Sequence, residues 1–119
     1  MKSILIVDDE VDITDTFSML FELHGFKVSF ASQGKQALDV LQRFIPDIIL
    51  SDCMMPIMDG LELCAKVKNN PSTAHIPFIL MSASPKKHDL STVRCDLFLQ
   101  KPFLFDDLMD KVTALLSKH

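Results

Sequence analysis

Apolar positions along the chain fall into two alternating patterns. The first is a short unbroken run. Ile4-Leu5-Ile6-Val7 follows Ser3, Ile48-Ile49-Leu50 lies between Asp47 and Ser51, and Phe78-Ile79-Leu80-Met81 follows Pro77. Runs this short, rich in β-branched residues, predict strands buried on both faces. Residues 26–31 alternate instead, with Phe26, Val28 and Phe30 set against Lys27 and Ser29, as an edge strand would. Leu97-Phe98-Leu99, within 96–100, predicts a fifth strand.

The second pattern is helical. Ile13, Phe17, Leu20, Phe21 and His24 share a stripe, and Gly25 is placed to cap its end. Ala37, Leu38, Leu41 and Phe44 or Ile45 predict a second helix, stopped before Pro46. Asp59-Gly60-Leu61-Glu62 reads as a capping box, opening a helix with Leu63, Cys64 and Val67 on its buried side. Ser84-Pro85 reads as a cap followed by proline at the first helical position, in a helix containing Leu90. Phe105, Leu108, Met109, Val112, Leu115 and Leu116 give the clearest helical period. The order is strand then helix, five times over. Such alternation predicts an α/β fold: a doubly wound five-stranded parallel sheet with right-handed crossovers and helices on both faces.

With 119 residues, 48% hydrophobic and 24% charged, the chain is expected to be one domain over 1–119, and disorder is excluded. No apolar run approaches the roughly 20 residues of a membrane helix, and MKSILIVDDE turns acidic too early for a signal peptide. The cytoplasm is the expected compartment. The net charge of -4 and scattered Lys and Arg leave no basic face for nucleic acid. Cys53, Cys64 and Cys95 form no CxxC, and His24, His75, His88 and His119 show no ligand spacing, so neither a disulfide framework nor a zinc site is expected.

Function is carried by the residues that end the strands: Asp8-Asp9 after the first, Asp52 after the third, Ser82 after the fourth and Lys101 after the fifth. In an open parallel sheet all carboxyl ends share one edge, where ligands bind. Any single acid there is ordinarily a helix cap or loop residue, and Asp12 and Asp15 read as solvated positions near a helix start. Four strand ends with matching chemistry are a different matter. Three carboxylates and one lysine sum to -2, so a hard divalent cation fits, and Mg²⁺ is the expected one. The neutralised site would suit a phosphoryl group, with Asp52 as nucleophile.

ILIVDDE, SDCMMPIMDG, MSA and KPF together resemble the receiver domain of two-component response regulators, over the whole chain. The resemblance implies the flavodoxin-like strand order 2-1-3-4-5. It implies a phosphoacceptor at Asp52, supplied by a phosphohistidine on a sensor histidine kinase or a histidine phosphotransfer protein. Asp9 would bind Mg²⁺ directly, Asp8 through water, and the Met54 backbone carbonyl would complete the set with Asp52. Lys101 and Ser82 would contact the phosphoryl group, and Pro102 would follow a cis peptide. Pro56 and Gly60 would shape the loop after Asp52. Such a protein is a switch rather than an enzyme, although it assists its own phosphorylation and dephosphorylation. Its partner would be a downstream protein or an output domain missing from this chain, with a phosphorylation-dependent homodimer as a further option, and no membrane or nucleic acid bound by this domain.

Four positions depart from the family pattern. Phe98 stands where tyrosine is frequent and cannot donate a hydroxyl hydrogen bond. The stretch from Ser82 to Lys101 is about one helical turn short. Met54 is apolar beside the phosphoryl site and cannot orient an attacking water, which predicts slow dephosphorylation. Cys53 is expected to be an inert buried thiol. Three alternatives have less in their favour. An aspartyl phosphatase would ordinarily carry a second Asp two residues on, where Met54 or Glu10 stands. A flavin module needs a hydroxyl-rich first loop. A degenerate receiver, acting only as an interaction module, would not need the complete set of acids, Ser82 and Lys101.

Overall fold

The computed structural model describes residues 1–55, 57–83 and 95–118. Their order is β1 (Ser3–Val7), α1 (Val11–Leu23), β2 (Lys27–Ala31), α2 (Gly34–Arg43), β3 (Ile48–Asp52), α3 (Gly60–Asn69), β4 (Phe78–Ser82), β5 (Leu97–Gln100) and α4 (Phe105–Ser117). All strand pairings are parallel and the sheet order is β2-β1-β3-β4-β5. This is the doubly wound fold predicted from the alternation, with the flavodoxin-like order. The helix expected to open at Ser84-Pro85, and the length of that region, lie outside the described residues.

The unbroken apolar runs are explained by two cores. Leu5, Val7, Ile49, Phe78 and Leu80 point to one face and pack with Ala37, Val40 and Leu41 of α2 and Leu63, Cys64 and Val67 of α3. Ile4, Ile6, Ile48, Leu50, Ile79 and Met81 point to the other and pack with Phe21 of α1 and Leu108 and Val112 of α4. β3 and β4 are buried at every position because each has neighbours on both sides and helices on both faces. β2 is the edge strand, as the alternation predicts, but Phe30 does not join the core. It is 62% exposed, whereas Val28 on the same strand packs against the core on the α1 side. Likewise α2 ends at Arg43, and Phe44 and Ile45 are surface residues.

Candidate functional site

The strand ends meet as the topology requires. β1 and β3 are adjacent, so Asp8 and Asp52 reach the same edge from neighbouring strands. One carboxylate oxygen from each of Asp8, Asp9 and Asp52 lies within 4.8 Å of the other two. Asp8 and Asp52 are buried, whereas Asp9 faces solvent. Lys101, one residue past β5, extends its ammonium into this cluster, with Nζ 3.0 Å from Asp52 Oδ1 and 3.7 Å from Asp8 Oδ2. Its backbone N–H donates to the Ser82 carbonyl at 2.8 Å, which fixes the end of β5 against β4. The Lys101–Pro102 peptide is cis. Ser82 is buried at the carboxyl end of β4, one residue beyond Met81, the register partner of Asp52.

The loop after Asp52 closes tightly. The Cys53 carbonyl accepts from the Gly60 N–H at 2.9 Å, and the Cys53 N–H donates to Met81 at 2.8 Å. A side chain at position 60 would collide with the Asp52 carbonyl oxygen and would lie 2.8 Å from Leu80 Cδ2, so glycine is required there. Asp59 then caps α3 by accepting from the Glu62 N–H at 2.8 Å, the half of the predicted capping box that sets the helix start. Met54, two residues past Asp52, is exposed, and Pro56 lies outside the described residues. Phe98 is half-buried and packs against the core on the α2 and α3 side of the sheet.

Two observations show that the pocket suits a cation. Asp8 Oδ1 accepts from the Glu10 N–H at 2.9 Å, but the buried Oδ2 has no hydrogen-bond partner among the described residues. Burial pushes the Asp8 carboxyl up to about 6, with the charges of Asp52 and Glu10 adding to it against the Glu10 hydrogen bond and Lys101. An oxygen that has no hydrogen bond and meets only the Lys101 ammonium at 3.7 Å, in a net negative, oxygen-only donor set, matches a hard divalent ion. Lys101 stays firmly protonated: burial opposes its charge, but the hydrogen bond and charge of Asp52, with Asp8 and Glu10, outweigh burial and raise its pKa. The Cys53 thiol is buried and pushed up to about 11, chiefly by burial, so it is the inert thiol expected.

The sequence profile described as "Response regulator receiver domain" matches residues 4–113. The chain belongs to this family. Response regulator SaeR of Staphylococcus aureus is 36% identical over 121 residues, covering 99% of this chain and 52% of that protein. The chain thus spans about half the length of the curated relatives it matches. Among solved structures, the receiver superposes on the signal receiver domain of a histidine kinase from Syntrophus aciditrophicus with a TM-score of 0.93, at 32% identity, covering 99% of this chain and 92% of that one. It superposes on response regulator TrrA of Thermotoga maritima, solved in complex with Mg(2+)-BeF, with a TM-score of 0.87 at 31% identity, covering 97% and 99%. Receiver domains are signalling modules, and the acidic pocket of Asp8, Asp9 and Asp52 is of the kind that accepts phosphoryl groups. No helix among the described residues is long and apolar enough to cross a membrane.

Sequence reading missed two features of the receiver. The Glu10 N–H that binds Asp8 carries no side-chain signature. Lys68 of α3 donates to the carbonyls of Ala74 and Ile76 and to Asp96 Oδ2, which also accepts from the Phe78 N–H, tying the starts of β4 and β5 together. Its only signal is a lysine and an aspartate 28 positions apart, which no local pattern connects.

Proposed function

We infer that this receiver takes a phosphoryl group on Asp52 from a phosphohistidine of a sensor kinase or phosphotransfer protein, and that this switches its binding to a downstream partner. The observation that carries the reading is the 3.0 Å contact between Lys101 Nζ and Asp52 Oδ1 inside a cluster of three acids. In the transfer, an Asp52 carboxylate oxygen forms a bond to phosphorus while the phosphorus–nitrogen bond breaks, and the histidine nitrogen keeps the electron pair. Lys101 is placed to hold a phosphoryl oxygen, at the cost of its present contact with Asp52. Asp9, Asp8, Asp52 and the Met54 carbonyl would hold Mg²⁺, which when bound neutralises the charge gathering at the acids and phosphoryl oxygens. Ser82, buried at the end of the neighbouring strand, would donate its hydroxyl hydrogen bond to an oxygen of the added group and draw its loop inward, with Phe98 following on the same side of the molecule. Gly60, Pro56 and Pro102 have shaping roles. A cytoplasmic location and a single domain over 1–119 complete the reading.

The test is incubation with acetyl phosphate and Mg²⁺ followed by intact mass. Wild type gains one phosphoryl group and Asp52→Ala gains none. Persistence of the gain in Asp52→Ala overturns the assignment. Phosphorylated wild type should also decay more slowly than phosphorylated Met54→Asn, since an amide can orient water where the thioether cannot. Equal decay would remove that role from Met54.

A further inference from the structure

A second surface lies between α1 and β2. Three large exposed apolar side chains, Met19, Leu23 and Phe30, share a furrow of about 550 Å³ with Asp15, Ser18 and Glu22. A smaller hollow of about 80 Å³ shares Asp15 and Phe30 with it and extends it to Val11, which is 69% exposed. Val11, Asp15, Met19 and Leu23 follow one another at four-residue spacing, so they form one stripe along the helix. The core-facing stripe of α1, through Phe17 and Phe21, is a different one. This helix therefore has two apolar sides, and only one of them is covered by the described fold. Phe30, exposed on the edge strand β2, supplies the far wall.

We propose that this furrow docks an amphipathic helix of a partner protein, with an apolar stripe flanked by Lys and Arg. The charges select this occupant. Over α1 there are three acids, Asp12, Asp15 and Glu22, and no base, while β2 contributes only Lys27. A second copy in a two-fold arrangement would set these acids against themselves, whereas basic flanks would complement them. The exposed stripe from Val11 to Leu23 runs about 18 Å at 1.5 Å per residue, the length of some three helical turns. Asp9, Asp52, Ser82 and Lys101 line neither hollow, whereas Asp8 lines the smaller one, so the occupant's end at Val11 lies next to the acidic site while the rest of it runs clear along α1.

The experiment titrates the isotope-labelled 119-residue chain with a capped 14-residue peptide carrying leucines at helical spacing and lysines beside them, read by amide NMR shifts. Two control peptides have the lysines replaced by glutamates, or the same composition with the stripe broken. Shifts should concentrate on α1 and β2, and both controls should bind at least tenfold more weakly. Leu23→Ser with Phe30→Ser should weaken the lysine peptide tenfold or more. Asp15→Asn with Glu22→Gln should weaken it severalfold and flatten its salt dependence. All variants should still accept a phosphoryl group from acetyl phosphate, which shows that they are folded. Shifts mapping elsewhere, equal binding of either control, no binding, or a wild-type dimer that Leu23→Ser dissociates would each overturn the proposal.

Discussion

Ile57 is where a single residue most plainly works against its own backbone. Its φ is +70°, a left-handed conformation that a β-branched side chain adopts only under strain, and 87% of the residue is exposed. Nothing packed is lost by truncating it. Ile57→Gly should therefore stabilise the protein by about 1 kcal/mol, the strain released less the extra chain entropy of glycine. Urea unfolding would show this as a higher midpoint with an unchanged slope. A lower midpoint would mean that the side chain has a supporting contact. The strain sits five residues from Asp52, in the loop that must turn sharply before Gly60.

At the scale of elements, the end of α1 shows how closely local sequence and packing agree. Gly25 has φ +86°, its N–H donates to the Glu22 carbonyl at 3.0 Å, and the Phe26 N–H donates to the Phe21 carbonyl at 3.0 Å. Phe26 then packs edge-on against Phe21 with ring centres 5.3 Å apart, the apolar contact that accompanies this cap. A Cβ at position 25 would meet nothing within 4 Å, so Gly25→Ala should cost only the backbone term, about 1 kcal/mol. Gly60→Ala adds a collision with the main chain at Asp52 and should cost about 2–3 kcal/mol. Paired urea melts would rank them, and a costlier Gly25→Ala would contradict the steric argument. Elements such as this were legible because their signals are local: a stripe, a cap, a glycine. Phe30 was not, because alternation says which residues share a face but not whether a helix reaches far enough to cover them. The same limit applies to Lys68 and Asp96, whose contact exists only once β4 and β5 are side by side. The acids and Lys101 were legible because the parallel topology turns strand ends into neighbours without any need to know side-chain geometry.

For the whole molecule, assembling the site carries a stability penalty that the ion would relieve. Asp8 is buried with its carboxyl raised from 3.8 to about 6, so the fold favours its protonated form. The sign follows from proton uptake. Between about pH 4 and 6 the folded state holds a proton on Asp8 that the unfolded state releases, so this group's contribution to stability falls as pH rises through that window and levels off above it. Mg²⁺ would bind the ionised form, so it should raise the melting temperature most above about pH 7 and progressively less towards about pH 5. Asp8→Asn keeps the shape and deletes the buried charge. In EDTA near neutral pH it should be more stable than wild type by about 1–3 kcal/mol, and its response to Mg²⁺ should be largely lost. Thermal melts of both proteins across pH, with EDTA and with millimolar Mg²⁺, read all of these effects together. A wild type whose Mg²⁺ response does not change with pH, or an Asp8→Asn variant less stable than wild type in EDTA, would show that the negative charge of Asp8 is already compensated by Lys101 and the Glu10 N–H. The three carboxylates would then be a settled structural cluster, in place of a pocket held ready for a cation and a phosphoryl group.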